Sequence, residues 1–172
     1  MTRNEEYKRS THNSSVRIPL IIQGPGFEGA QQIPELFGII NVAPTLLEAA
    51  GVKVPESMKG RSILPLLNDA KAREAWPNKE LIQISESMTG RAIRTKDWIY
   101  CVADPTGVRA ATSNNYHEYQ MYDQRNDPHE LVNLAGRKEY RDKAAELRNE
   151  LKKLIVASGE PEPEIAEAKL YP

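Results

Sequence analysis

The hydrophobic periodicity changes about halfway along the chain, and this change constrains the fold most. Residues 81–85 and 98–102 are short runs rich in β-branched and aromatic side chains, which is typical of strands. Arg137–Ala157 instead places apolar side chains at spacings of three and four, which predicts an amphipathic helix ended by Gly159. With further strands predicted at 91–94 and 120–123, the pattern indicates an antiparallel sheet of about four strands with a long helix packed across it.

The first half of the chain is divided by prolines and glycines. Ile18–Ile22 is a continuous apolar run, which predicts a strand buried on both faces. Asn41 is the expected cap of a short helix that Gly51 ends. The rest of this half is predicted to be mostly loop, with one helical turn at Ile63–Leu67.

Composition narrows the classes of partner. The chain of 172 residues is 40% hydrophobic and 27% charged, and 23 Lys+Arg against 24 Asp+Glu give a net charge of −1. Such a balance provides no global basic field, so we expect no nucleic-acid partner and no anionic membrane partner. The apolar runs are too short to span a bilayer. The single cysteine, Cys101, excludes an intramolecular disulfide and a cysteine-based metal cluster.

Four strings occur in the same order as segments of a known family. Lys8–Pro25 ends in the apolar run and Gly24-Pro25, and Asn41–Val52 contains Ala43-Pro44-Thr45-Leu46-Leu47. Arg91–Tyr100 has the pattern Arg-x-x-Arg followed by Trp and Tyr, and Met121–Leu134 contains Asp-Pro-x-Glu-x-x-Asn-Leu. Together they resemble the C-terminal portion of sulfatases of the alkaline-phosphatase-like superfamily.

The resemblance implies an α/β fold, more loosely α+β. Residues 1–78 would be a remnant of the catalytic domain at the edge of a parallel sheet. Residues 79–159 would form the C-terminal subdomain of antiparallel sheet and helix, and 160–172 a polar tail that is extended or disordered.

Two residues are implied to bind the sulfate-ester substrate of the parent enzyme, by which we mean the full-length sulfatase. Lys8 falls at the position of the family's sulfate-contacting lysine, and a lysine is a mobile point charge that can neutralise sulfate oxygens. His12 falls in the loop that lines the substrate pocket, where a histidine could donate a proton to the ester oxygen. Read without the resemblance, both are ordinary surface residues.

The nucleophile and the metal ligands of the parent enzyme are not recognised in this sequence. Sulfatases make formylglycine in a Cys/Ser-x-Pro/Ala-x-Arg motif, whereas Cys101-Val102-Ala103-Asp104-Pro105 ends in proline and lies on a predicted strand. Asp123, Asp127, His129 and Glu130 fit turn and capping roles better than a metal site. Asp127-Pro128 is predicted to start a helical turn, with the proline at its first position. We therefore expect no catalytic residue, metal or cofactor in this chain, and calcium and formylglycine in the full-length parent.

Because only seven residues precede Lys8, the isolated chain is expected to be inactive, with its part of the parent enzyme completing the substrate pocket. Two alternatives remain open. The chain could be a non-catalytic binding or assembly module, or part of a related phosphate or phosphonate ester hydrolase. An unpaired Ile18–Ile22 strand favours self-association through residues 1–50. A parent sulfatase would be expected in the periplasm, outside the cell or in lysosomes, and the sequence does not choose among these compartments.

Overall fold

The computed structural model describes residues 10–86, 88–107 and 109–171, which form two compact units. The first, here called the sheet unit, comprises the described residues up to Ile18 and those from Glu80 onward. The second, here called the loop unit, is Pro19–Lys79. The predicted boundaries at 78 and 159 concern the parent enzyme and remain predictions.

The sheet unit contains a five-stranded sheet in which neighbours in sequence are neighbours in space. The strands are β1 (Lys79–Ile84), β2 (Gly90–Thr95), β3 (Trp98–Ala103), β4 (Asn115–Asp123) and β5 (Glu164–Ala166). β2, β3 and β4 pair antiparallel, whereas β5 pairs parallel with β4. The predicted antiparallel sheet is therefore confirmed, with one strand more than expected.

The long helix α5 (Arg141–Ser158) packs on one face of this sheet, as its periodicity predicts. A single 3₁₀ turn at Lys138–Tyr140 precedes it, and Gly159 ends it with a left-handed φ of 102°. Leu147 and Leu151 of the helix share an apolar core with Tyr100 and Met121 of the strands. Burial of these side chains is the main source of stability in this unit.

Residues 160–171 of the polar tail are ordered, and the alternative of a disordered tail is wrong for them. Glu160 forms an ion pair with Arg91, with 2.8 Å between Oε2 and Nη2. The backbone N–H of Ala168 donates to Oε2 of the buried Glu118 at 2.8 Å. Since buried charges require partners, these contacts hold a segment whose composition alone is typical of disorder.

The loop unit contains three short helices and a small core. They are α2 (Val42–Ala49), entered through a 3₁₀ turn at Ile39–Asn41, α3 (Pro65–Asn68) and α4 (Ala70–Glu74). The expected helix after Asn41 and the turn near Ile63–Leu67 are present, and α4 is additional. The Asn41 side chain does not cap α2, because it accepts from Gly38 N–H at 3.0 Å and donates to the Arg61 carbonyl at 2.8 Å.

The predicted buried strand Ile18–Ile22 is wrong for this structure. These residues form no strand, and Ile18 is 57% exposed and Ile21 93% exposed. An extended apolar segment becomes a strand only beside a pairing partner, and the described residues supply none for it. No helix in the described part of the chain is long and apolar enough to cross a membrane.

Candidate functional site

The segment that contains His12 lies on the sheet face opposite α5. Side chains alternate along β4, so Gln120 and Tyr122 face away from Met121 and the helix-covered core. His12 meets both of them, with ring centroids 5.2 Å apart from Tyr122 and Nε2 3.4 Å from Gln120 Nε2. The segment continues as the single turn α1 (Asn13–Val16). Thr11 is completely buried and His12 is 3% exposed.

His12 is joined to Glu130 across 118 residues of sequence. His12 Nδ1 lies 2.8 Å from Glu130 Oε2, and both side chains are almost fully buried. The backbone N–H of Asn13 donates to both carboxylate oxygens, at 3.0 and 3.1 Å. Gln124 Nε2 donates to Glu130 Oε1 at 3.0 Å, and the Asn13 side-chain amide donates to Gln124 Oε1. We call these four residues and Gln120 the His12–Glu130 cluster.

The carboxylate of Glu130 is held in its charged form by this cluster. Burial alone would raise its pKa, but the hydrogen bonds from His12, the Asn13 backbone and Gln124 outweigh burial. The pKa of Glu130 therefore lies below its ordinary value. Its backbone has a φ of 56°, in the left-handed region that a side chain other than glycine seldom adopts. Several bonds to one carboxylate can maintain such a conformation.

The turn that carries Glu130 is built by neighbouring acidic side chains. Asp127 Oδ2 accepts from the Val132 backbone N–H at 2.9 Å, and the Glu130 N–H donates to the Asp127 carbonyl at 3.0 Å. Asp123 Oδ1 accepts from the backbone N–H groups of Arg125 and Asn126. The expected turn role of both aspartates is therefore what the structure shows. The expected helical turn at Asp127-Pro128 is wrong, because these residues form successive turns without a helix.

Two cationic groups lie near the cluster. Burial lowers the pKa of Arg94, Glu130 acts to raise it, and Arg17 lowers it further. The Arg94 guanidinium nevertheless has oxygen partners, since Nη1 donates to the Thr95 carbonyl. Arg94 of β2 therefore interacts electrostatically with both the carboxylate of Glu130 and the guanidinium of Arg17.

The structure describes the positions of His12 and Cys101 but not that of Lys8. Lys8 lies outside the described residues, and its role in substrate binding remains a prediction. His12 is placed in a buried network, and its role in substrate binding remains a prediction. Cys101 is completely buried on β3, where burial raises the pKa of its thiol to about 12. This agrees with the interpretation of Cys101 as a small core residue.

The partnership of His12 with Glu130 and Gln124 was not predicted. The sequence predicts only a turn or capping role for Glu130, as part of the Asp-Pro-x-Glu string. No local pattern in a sequence relates residues 118 positions apart. The only available signal was that both strings resemble the same family, which places them in one domain without pairing them.

The family itself is shown by the comparisons with known proteins. The model of "N-sulphoglucosamine sulphohydrolase, C-terminal" matches residues 6–157, which include the His12–Glu130 cluster and α5 up to Ala157. The chain belongs to this sulfatase family. The tail strand β5 lies beyond the matched residues.

The similar curated proteins of this sulfatase family are longer than the chain. Arylsulfatase K of Mus musculus is 31% identical over 144 residues, which are 78% of this chain and 24% of the mouse protein. Arylsulfatase K of Homo sapiens is 27% identical over 143 residues. The chain thus spans about a quarter of the length of the curated relatives it matches.

Solved structures show the same relation. One, determined in complex with its substrate D-glucosamine-2-N,6-O-disulfate, has a TM-score of 0.58 and 26% identity, covering 72% of this chain and 24% of that chain. Another, a 2-O GAG sulfatase, has a TM-score of 0.54 and 27% identity, covering 69% of this chain and 24% of that one. The mixed α/β architecture is therefore that of the sulfatase C-terminal domain.

The sulfatase family implies calcium and formylglycine in full-length enzymes, and the residues of this chain do not fit either group. The 172 residues contain no Cys/Ser-x-Pro/Ala-x-Arg motif. Among the residues that the structure describes, no group of three His, Cys, Asp or Glu side chains is arranged to hold a metal ion.

Proposed function

We propose that this chain supplies one wall of the substrate pocket in an enzyme that hydrolyses sulfate esters. The observation that carries the proposal is the family match over residues 6–157, which includes the Lys8–Pro25 string. In this role the chain binds and orients the substrate, while the nucleophile and the metal belong to the remainder of the parent enzyme.

Lys8 is the residue proposed to contact the sulfate group. Cleavage of a sulfate ester moves negative charge onto the bridging oxygen, and a positioned ammonium group stabilises that charge in the transition state. His12, four residues further on, is proposed to line the same wall. In this chain His12 is 3% exposed, and its Nδ1 and Nε2 lie 2.8 Å from Glu130 Oε2 and 3.4 Å from Gln120 Nε2.

The proposed substrate class is a sulfated sugar. One similar structure is described with the substrate D-glucosamine-2-N,6-O-disulfate, and another as a 2-O GAG sulfatase. These substrates are those of the similar proteins. For this chain they support sulfated amino sugars and sulfated polysaccharides as the first compounds to test.

The test is a pair of hydrolysis assays with an aryl sulfate and an aryl phosphate. We expect the 172-residue chain to hydrolyse neither, and a longer protein that contains it to hydrolyse the sulfate. In that longer protein, Lys8→Ala should reduce turnover about a hundredfold, which corresponds to on the order of 3 kcal/mol of lost transition-state stabilisation. Preference for the phosphate would favour a phosphate ester hydrolase, and near-normal kinetics of the variant would remove Lys8 from the pocket.

A binding or assembly role is the second candidate, and the exposed apolar side chains favour it. Ile18 is 57%, Leu20 43% and Ile21 93% exposed, and exposed apolar side chains drive association. We propose that the first fifty residues mediate self-association. Light scattering over a dilution series should show dissociation at low concentration, and Ile21→Asp should shift it to higher concentration. A monomer at every concentration would contradict this role.

A further inference from the structure

The tail, residues 160–171, lies along the outer edge of β4 in the sheet unit. Its strand β5 pairs in parallel with Asn115–His117 of β4. The side chain of Ile165 enters the apolar core shared by the strands and α5, where it is 9% exposed. Because β5 is a short strand, contacts on either side of it decide how the tail is held. We call the surface that binds the tail the tail groove.

Two acidic side chains of the tail are bound by arginines of the tail groove. Glu160 Oε2 lies 2.8 Å from Nη2 of the buried Arg91. Further along, Glu167 Oε1 accepts from Arg148 Nη2 at 2.9 Å, and Glu167 Oε2 lies 3.3 Å from Arg141 Nη2. Ion pairs between arginine and carboxylate select for negative charge at defined positions. The tail groove is therefore complementary to an acidic segment.

The tail groove also binds the tail backbone between these side chains and the end of the tail. The carboxylate of Glu118 is completely buried and accepts from the Ala168 backbone N–H at 2.8 Å. Arg141 Nη1 donates to the same carboxylate at 2.8 Å, and Arg141 Nη2 donates to the Ala168 carbonyl at 2.9 Å. Since a buried carboxylate needs donors, a peptide N–H at this point completes the environment of Glu118.

The far end of the tail groove is shaped for a tyrosine. The Tyr171 backbone N–H donates to the Gly136 carbonyl at 3.0 Å, and its hydroxyl donates to the Asn133 carbonyl at 3.0 Å. The Arg137 guanidinium lies 5.6 Å from the centre of the Tyr171 ring. Gly136 has a φ of 83°, and a Cβ there would come within 2.6 Å of the Lys169 carbonyl oxygen and 2.9 Å of the tyrosine ring. Only glycine allows this close approach.

The linker that joins the tail to α5 is short and favours an extended course. It is the five residues Gly159–Pro163, between the end of α5 and the start of β5. Proline disfavours a helical conformation of the residue before it, and the linker contains Pro161 and Pro163. The groups that recognise the tail belong to the strands, to α5 and to Gly136. A second copy of the chain presents the same groups to the same tail.

We propose that two copies of this chain exchange their tails, each tail groove binding residues 160–171 of the other copy. The exchanged dimer repeats the contacts of the closed chain, so the two forms differ in the linker and in the cost of association. A tail attached by a short linker has an effective concentration of about 1 mM at its own groove, so exchange becomes measurable at similar chain concentrations. The inference does not rest on the proposed function, and it involves a different part of the chain from residues 1–50.

The first test is disulfide trapping between two variants of the full chain, His117→Cys and Ala166→Cys. Both also carry Ile21→Asp, which suppresses association through the first fifty residues. Residues 117 and 166 are paired across β4 and β5, and paired strand residues are close enough for a disulfide. Cys101 is buried in every variant, where its thiol is inert. Equal amounts are mixed at about 1 mM, oxidised and identified by mass.

We expect a linked heterodimer, at a yield about fivefold or more above that of a control mixture. The control pairs Ala166→Cys with Tyr119→Cys, in the same Ile21→Asp background. Tyr119 lies on β4 beyond its last pair with β5 and is 40% exposed. Equal yields in the two mixtures, or no linked heterodimer, overturn the proposal.

The second test shortens the linker in the Ile21→Asp chain. Deletion of Pro161 and Glu162 removes up to about 7 Å of reach and keeps both Glu160 and β5. We expect the dimer to dissociate at a concentration at least about tenfold lower than in the undeleted chain, with the Ala168 amide still protected from hydrogen exchange. Glu162→Ala removes the same carboxylate at unchanged length, and it should behave as the undeleted chain does.

The other results of the deletion would contradict tail exchange. A monomer with an unprotected Ala168 amide would show that the tail groove binds only the tail of its own chain. A monomer with a protected amide would show that the tail closes on its own chain even through the shortened linker. If the deletion variant does not fold, the trapping experiment decides, because both of its cysteine positions lie at the outer side of the sheet edge and leave Ile165 in the core.

Discussion

Different interactions stabilise the interior of the sheet unit and the interior of the loop unit. In the sheet unit, twelve buried residues form one apolar core between the strands and α5. In the loop unit the buried core consists of Ile63, Leu66 and Trp76, while Ile39 is 73% exposed. The loop unit therefore gains less stability from apolar burial.

Hydrogen bonds from side chains to the backbone replace apolar burial in the loop unit. The fully buried Thr45 donates to the Asn41 carbonyl at 2.6 Å and accepts from the Ile63 N–H at 3.0 Å. Trp76 Nε1 donates to the Leu36 carbonyl at 2.8 Å. Such bonds fix the course of a loop without a large core, and each has a modest net value. A segment of this chain can therefore have a well-defined conformation and still contribute little to the free energy of unfolding.

The largest expected effect is in the apolar core of the sheet unit. Leu151→Ala should reduce the free energy of unfolding by about 2–5 kcal/mol, because Leu151 is completely buried against the strands. The matched control is Leu46→Ala in the loop unit, where the side chain is 51% exposed and the expected change is within about 0.5 kcal/mol. Denaturant unfolding measures both. Equal effects would contradict the contrast between the units.

The next effect tests the attachment of the tail to the sheet unit. Arg91 is 1% exposed, and Glu160→Ala removes its only carboxylate partner among the described residues, leaving the bonds to the Gly90 and Ala111 carbonyls. We expect a loss of about 1–3 kcal/mol in the free energy of unfolding. Glu162→Ala, whose side chain is 65% exposed, is the control. An unchanged denaturation midpoint in Glu160→Ala would mean that the tail contributes nothing.

A smaller effect is expected in the loop unit. Thr45→Val keeps the shape of the side chain and removes both of its hydrogen bonds, which should cost about 1–2 kcal/mol. Because this unit has little core, the loss should appear first as faster hydrogen exchange of the Ile63 amide, with strand amides unaffected. Simultaneous loss of protection in the strands would show that the two units unfold together.

The smallest expected effect is the pH dependence of the stability that Glu130 contributes to the sheet unit. Since the pKa of Glu130 is lowered in the folded protein, the stability from its ionisation is present above its unfolded pKa of about 4.3. It is lost as the pH falls through the folded value. The gap in unfolding free energy between wild type and Glu130→Gln should therefore narrow from pH 7 to pH 3. A gap that is constant or widens towards low pH would contradict the assignment.

The sequence predicts those strands and helices whose positions follow from the local spacing of apolar side chains alone. β2, β3 and α5 follow from runs such as Trp98–Val102 and from the spacing of Leu147 and Leu151. Ile18–Ile22 has the same local character as a strand but pairs with nothing described, because pairing depends on residues remote in sequence. Polar contacts between residues far apart in sequence likewise could not be predicted from local sequence patterns. This applies to Glu160 with Arg91, which orders the tail, and to Glu130 with His12, which defines the candidate site.

The parallel pairing of β5 with β4 has a consequence for biosynthesis. β4 is complete at Asp123, whereas β5 begins only at Glu164, roughly 40 residues later on the ribosome. At about 5–20 residues per second, the outer edge of β4 awaits its neighbour for on the order of a few seconds. Glu118 can gain Arg141 within this interval, but the Ala168 amide is made only after β5. The outer edge of β4 is therefore open to pairing with other chains until residues 164–166 are translated.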